Sequence, residues 1–540
     1  MKKTYKPTIG LEIHAELKTE TKMFCNSKND PEEKSPNVNI CPVCMAHPGT
    51  LPVINKEAIK SVLKVGIALN GKIADFSEFD RKNYFYPDIP KGYQISQYKH
   101  PLVSGGELVG VKITRIHLEE DTAKLIHPPA QAGGKRDFSL VDYNRAGVPL
   151  MELVTEPVIE DGETAVKFAK ELQLILRYLN VSDADMEKGQ MRVEANISVA
   201  PKSQMSADGT QINADKDRNL LYEDLTYKIR GIVFSICNQL GSGHKESVLN
   251  DIRENLHVNP RESVLGTKVE VKNLNSFKSV GLAIDFEIKR QTEVLERGEG
   301  VKHETRGWDE NKQMTFSQRE KEFSHDYRYF PEPDLPKLKL NEIKEFKKEN
   351  LLKEIPELPE KTRERYKREY GIKDEDIESY ITDKGLRNLF EETIKEFKNN
   401  KNLIKLTSNY ITSDVVGFSK GGNNIVGKIE AKYLSKLIKM ISANVLSSRG
   451  AKNILFVMYK QGGSPEEIAK ESNLLQISNK KEMESIVKKI IKDNPDVVRD
   501  YKKGKELSIQ YLIGEGMKKS KGSANPKVLK EIFISILNSI

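Results

Sequence analysis

Cysteine is scarce. Four thiols in 540 residues, Cys25, Cys41, Cys44 and Cys237, are too few and too uneven to staple a chain this long, which excludes a disulfide-built secreted scaffold. Reduced thiols or a metal site remain. Long apolar runs are also missing: no stretch of about eighteen apolar residues is present to span a bilayer. The basic start, Met1 to Pro7, leads directly into strand-like sequence without an apolar signal core. No export signal and a cytoplasmic location are therefore expected. Internal repeats and low-complexity tracts are absent, so a repeat array is excluded.

What is present is length and charge. A 540-residue chain with 37% hydrophobic residues and a mean hydropathy of −0.56 has room for two to four domains, each with its own core. The net charge of +8 is unevenly spread: residues 411–540 hold 23 Lys and Arg against 13 Asp and Glu, so the remainder is slightly acidic. Residues 1–295 carry most of the alternating apolar and ionisable segments and read as a β-rich cradle domain. Within them, helical spacing over about 202–265 reads as a helical insertion. The proline-rich Asp326-Tyr-Arg-Tyr-Phe-Pro-Glu-Pro-Asp-Leu-Pro336 lies in a loop leading to charged helical sequence, giving a helical domain over 296–407. Short amphipathic helices make 408–540 a small, basic, all-α tail domain. The expected fold class is α+β.

The β-rich part holds the chemistry. Ile9, Leu11, Ile13, Ala15 and Leu17 fall on one strand face, which leaves Gly10, Glu12, His14 and Glu16 on the other. Met191, Val193, Ala195, Ile197 and Val199 likewise oppose Arg192, Glu194, Asn196 and Ser198, and Val269 and Val271 oppose Lys268, Glu270 and Lys272. A polar face turned to water is the ordinary outcome for an antiparallel strand. Here, however, His, carboxylates, Arg and Lys recur together.

The run His117-Leu-Glu-Glu-Asp121 adds a dense acidic cluster in which Glu119 and Glu120 point to opposite faces of a regular strand. Glu152 stands alone among Val148, Pro149, Leu150, Met151, Leu153 and Val154. A carboxylate buried there is costly unless it is paired or metal-bound. Glu12, His14, Glu119 or Glu120, Glu152 and Glu194 form an oxygen-rich set with one imidazole, which suits Mg²⁺ or Mn²⁺ more than zinc. Phe79-Asp-Arg-Lys-Asn-Tyr-Phe-Tyr-Pro-Asp88 places Arg81 and Lys82 beside aromatics, a composition that suits a nucleotide and equally an ordinary surface loop.

Other motif matches are incomplete. Gly422-Asn-Asn-Ile-Val-Gly-Lys428 has Ile429 where a phosphate loop needs Ser or Thr. His14-Ala-Glu16 with Cys41-Pro-Val-Cys44 approaches a zinc nucleobase deaminase pattern, but Ile40 replaces its proline. Cys41 and Cys44 have knuckle spacing and Cys25 offers a third thiolate; a closed zinc site needs a fourth ligand.

Taken with Ile9-Gly-Leu-Glu-Ile-His14 and Val141-Asp-Tyr-Asn-Arg-Ala-Gly-Val-Pro-Leu-Met-Glu-Leu-Val-Thr-Glu-Pro157, these segments resemble the GatB family of the bacterial aspartyl/glutamyl-tRNA amidotransferases. Gln190-Met-Arg-Val-Glu-Ala-Asn-Ile-Ser198, Gly266-Thr-Lys-Val-Glu-Val-Lys-Asn-Leu-Asn-Ser-Phe277, Lys405-Leu-Thr-Ser-Asn409 and Lys521-Gly-Ser-Ala-Asn-Pro526 extend the likeness to residue 526. The resemblance implies a glutamine-synthetase-like cradle, a helical domain and a tail that touches tRNA. It implies ATP-dependent phosphorylation of the side-chain carboxylate of Glu-tRNA(Gln) or Asp-tRNA(Asn). Amidation then uses ammonia made from glutamine by the amidase partner, GatA, with the small GatC as a further partner.

The family's magnesium ligands carry over to His14, Glu120 and Glu152, with Glu12, Glu119 and Glu194 nearby. Glu12, His14, Glu120 and Glu152 are thus the candidate catalytic residues, and Arg81, Lys82 and Lys272 the candidates for ATP. Many relatives have a four-cysteine zinc site; here Ser27 replaces one member beside Cys25, Cys41 and Cys44. Lys518, Lys519 and Lys521 are candidates for tRNA phosphates. Two rival readings remain: a non-catalytic tRNA-binding adaptor, and the zinc deaminase.

Overall fold

The computed structural model describes residues 5–126, 138–201, 266–320, 327–419, 426–472, 480–505, 507–520 and 526–539. The chain is mixed α/β and divides into two compact units, 1–356 and 357–540. The expected insertion at 202–265 lies outside the described residues.

The first unit is built on one large sheet. Its main strands are β1 (Tyr5–Glu16), β4 (Val111–Glu120), β5 (Pro149–Thr155), β6 (Met191–Pro201), β7 (Val269–Leu274), β8 (Glu304–Asp309) and β9 (Met314–Glu320), while β2 (Asp80–Asn83) and β3 (Tyr93–Ser96) pair in a smaller sheet. Strand order is β9-β8-β7-β6-β1-β5-β4, continued by short edge strands at 103–104 and 72–73. Neighbours among the seven main strands run antiparallel except β7 and β8.

The alternation in β1 is realised as expected. Ile9, Leu11, Ile13 and Ala15 are fully buried. Helix α1 (Lys56–Ala68) packs beside β4, α2 (Gly162–Tyr178) packs on α3, and α3 (Phe277–Glu296) packs on β6. Each helix begins on a side-chain cap: Asn55 accepts from the Glu57 and Ala58 amides, Asp161 from Thr164 and Ser276 from Ser279.

Two expected boundaries fall inside continuous structure. The one at 295/296 is overrun because β8 and β9 join the large sheet. The charge density there looks like a loop, yet that of β8 is partly internal: Glu304 is buried and pairs with Arg306, and both meet the α3 pair of Arg290 and the buried Glu287. The boundary at 407/408 lies within helical backbone that runs from Lys401 to Phe418. The polar Thr407 and Thr412 are accommodated there by donating to the carbonyls of Leu403 and Ser408. In the second unit, helices Lys480–Asp493, Pro495–Lys502, Ser508–Lys519 and Pro526–Ser539 close around Val487, Ile490, Leu512, Leu529 and Phe533.

Candidate active site

Strand register assembles the polar face in rows. Arg192, His14, Glu152 and His117 lie side by side across β6, β1, β5 and β4. Two residues along each strand, Glu194, Glu12, Val154 and Arg115 form a second row, and on the other side Glu16, Leu150 and Glu119 form a third.

Glu152 is the centre. Its Oε2 lies 3.5 Å from His14 Nε2 and 3.3 Å from His117 Nε2. His14 Nε2 is also 3.7 Å from Glu12 and 3.8 Å from Glu119. Burial works against ionising Glu152, but His117 and His14 outweigh it and hold the carboxyl well below its ordinary value. Burial likewise opposes protonation of His14, yet Glu152, Glu119 and Glu194 carry it up to about 9. Glu12 is pushed up, first by burial and then by Glu152. Glu16 is raised to about 8 by burial and by Asp121, which is itself held down by Arg192 and Arg145 against its own burial.

The expected residues divide. Glu12, Glu119 and Glu152 all lie within 4 Å of His14 Nε2, and Glu194 joins Glu12 and Glu270 in an adjoining group. Glu120 faces away: its carboxylate pairs with Lys91 at 2.5 Å and accepts from the Ile95 amide. Lys82 faces the cluster; burial works to lower its pKa, but Glu119, Tyr329, Glu152 and Tyr327 outweigh it and raise the pKa above the ordinary lysine value. Lys272 is bound to Glu194 at 2.8 Å. Arg81 is engaged in bidentate contact with Glu332 and stacked over Tyr93, so it braces the β2 loop instead of facing the acids. His117 and Arg115 were not singled out from the sequence; the signal was there in the alternation Arg115-x-His117-x-Glu119.

The thiols of Cys25, Cys41 and Cys44 come together, apart from His14. A deaminase site needs His14 with Cys41 and Cys44, so that reading fails on geometry. Ser27 Oγ lies 3.8 Å from Cys44 Sγ, and the Cys41 amide donates to that sulfur at 3.1 Å. Cys25, as donor to it, with Lys22 nearby, lowers the Cys44 pKa. With serine at the fourth corner, the set falls one thiolate short of a closed Cys₄ zinc site. A cavity of about 210 Å³ adjoins it, lined by Cys25, Cys44, His47, Lys91 and Glu120 among others.

A family model described as the GatB/GatE catalytic domain matches residues 7–215 and 237–344, and one described as the GatB domain matches 388–537. The chain is 40% identical to the B subunit of the aspartyl/glutamyl-tRNA(Asn/Gln) amidotransferase of Thermoanaerobacter pseudethanolicus over 98% of each chain. It is 39% identical to that of Thermotoga maritima over 99% of each, and 36% identical to that of Gloeothece citriformis over 99% of this chain and 98% of the relative. The chain belongs to this GatB family.

For the Mg²⁺ implied for a GatB family member, the donors fit. Glu12, His14 and Glu152 bring their ligand atoms within 4.8 Å of one another, as do His117, Glu119 and Glu152. This carboxylate-rich set suits a hard cation, and His117 Nδ1 is buried without a hydrogen-bond partner among the described residues. Of the lysines considered for tRNA in this GatB chain, Lys518 is 81% exposed, Lys519 is bound to Asp493 at 2.6 Å, and Lys521 lies outside the described residues.

Proposed function

We propose that the polar face around Glu152 is where the chain uses ATP to phosphorylate the side-chain carboxylate of glutamate or aspartate attached to tRNA(Gln) or tRNA(Asn). The family gives the setting: an amidotransferase, a ligase that forms a carbon–nitrogen bond with glutamine as donor. In this reading ammonia released by GatA displaces the phosphate to give Gln-tRNA(Gln) or Asn-tRNA(Asn), GatC completes the assembly, and the sheet is a cradle of glutamine-synthetase type.

The physical need is clear. A carboxylate is a poor electrophile until a phosphate makes one of its oxygens a leaving group, and negative charge gathers on the group in transit. Mg²⁺ held by Glu12, His14 and Glu152, with Glu119 and His117 beside them, would neutralise part of that charge. Glu119 takes the place assigned by resemblance to Glu120, because Glu120 is engaged by Lys91. Lys82, drawn toward Glu119 and Glu152, supplies fixed positive charge at the same face.

The observation that carries the reading is Glu152. A buried carboxylate kept ionised between two imidazoles is a costly arrangement for stability alone. With GatA and GatC present, Glu152→Gln should lower ADP and amide formation at least about 100-fold on either mischarged tRNA while leaving tRNA affinity nearly intact. Near-wild-type rates would support the adaptor reading. The same assay on the wild-type chain identifies which tRNA is used.

A further inference from the structure

Most cations on the polar face are engaged by neighbouring acids. Lys272 is bound to Glu194, and Arg192 Nη2 closes on Asp121 at 2.5 Å. Arg115 is different in having no acid within hydrogen-bond reach among the described residues; its Nε, like that of Arg192, is buried with no hydrogen-bond partner there. Its Nη2 stands 3.9 Å from Glu152 Oε1, inside ion-pair range but beyond hydrogen-bond reach. Glu152 does not need it as a counterion, since His14 and His117 are both closer. Buried donors are rarely left unmade without a reason.

The second row of the face gives that reason. Between Glu12 and Arg115 stands Val154, which offers no polar atom and is the one residue of β5 that is not buried. Glu12 and Arg115 are two strands apart, roughly 10 Å at the backbone. The result is a small apolar floor, acids on one side and a guanidinium fork with an unused donor on the other.

We propose that Arg115 is a catalytic residue that binds the oxygens of the phosphoryl group in transit above Val154. This rests on the phosphoryl-transfer reading given above. In that step a carboxylate oxygen of the tRNA-linked amino acid bonds to the γ-phosphorus of ATP. The bond from that phosphorus to the bridging oxygen breaks, and ADP leaves with the electron pair; no proton is transferred. Charge spreads over the equatorial oxygens, which a planar guanidinium meets through paired N–H donors and an ammonium cannot.

The test uses the full chain assembled with GatA and GatC, as wild type, Arg115→Lys and Arg115→Gln. Arg115→Gln should lower the kcat for ADP formation about 1,000-fold, as removal of a transition-state arginine does. Arg115→Lys should retain only part of the rate. KM for the mischarged tRNA and Kd for a non-hydrolysable ATP analogue should change little, whereas affinity for ADP with aluminium fluoride, a mimic of the phosphoryl in transit, should fall in step with kcat. Variants that bind ADP and aluminium fluoride like wild type would overturn the assignment. So would variants whose KM and ATP-analogue Kd worsen as much as kcat falls, because that pattern marks ground-state binding or misfolding. If the wild type itself neither binds the ATP analogue nor forms ADP, the phosphoryl-transfer reading fails first and takes the role of Arg115 with it.

Discussion

Arg365 shows what one side chain does outside the site. Its guanidinium reaches Glu357 and Glu391, each at 2.6 Å, while Tyr366 donates to the same Glu391 at 2.9 Å. The hydrogen bonds from Arg365 hold the Glu357 carboxyl below its ordinary value. A depressed carboxyl contributes stability that is present above its unfolded pKa of about 4.5 and lost as pH falls through the lower folded value. Arg365→Met should therefore cost about 1 kcal/mol at neutral pH, discounted for partial exposure, and lose less further stability than wild type on acidification below that pH. Urea titrations followed by circular dichroism at neutral and acid pH would read it, and an unchanged acid slope would refute it.

Residue-level legibility was uneven for the same kind of reason. The placing of Glu12, His14 and Glu152 together on one polar face was legible because alternation, or its failure, is local. The engagement of Arg81 by Glu332 was not, because that partner lies 251 residues away. His117 and Arg115 were overlooked beside the more conspicuous acids that follow them.

At the scale of elements, β5 shows why a strand without alternation can still carry a candidate site. Helices cover the sheet's apolar side while ionisable groups crowd the other, so both faces of β5 are enclosed and all its residues but Val154 are buried. Leu153 projects to the apolar side and is fully buried. Leu153→Ala should destabilise the first unit by about 2–5 kcal/mol while leaving ADP formation per folded molecule unchanged. The lone tryptophan, Trp308 in β8, is a convenient fluorescence probe of that unit. A loss of activity beyond the loss of folded protein would mean that the two faces are not independent. Strands β1 and β6 were legible from their period, whereas β8 was hidden by Glu304 and Arg306, charges that pair with each other and with Glu287 and Arg290 of α3.

For the whole molecule, charge and topology divide the labour. The basic excess of residues 411–540 was visible in composition; which lysines remain available was not, because ion pairing depends on tertiary approach. Lys518 is largely exposed and its nearest carboxylate, on Glu515, is 3.8 Å away, while Lys519 is closely bound to Asp493. Lys518→Ala should weaken tRNA binding uniformly and reduce the slope of log affinity against log salt by about one, with a smaller change for Lys519→Ala. An unaltered slope would remove Lys518 from the interface.

The connection between β6 and β7 has a consequence of another kind. The strands are antiparallel neighbours, with Ile197 opposite Val269, and 67 residues of sequence, 202–268, separate them. The family model passes over 216–236. Closure entropy grows only logarithmically, about 0.6 kcal/mol for each doubling of length. Because β1, β5 and β4, which carry the proposed ligands Glu12, His14, Glu152 and Glu119, lie on the far side of β6, sequence gained or shed at this point would leave the spacing of those residues unaltered.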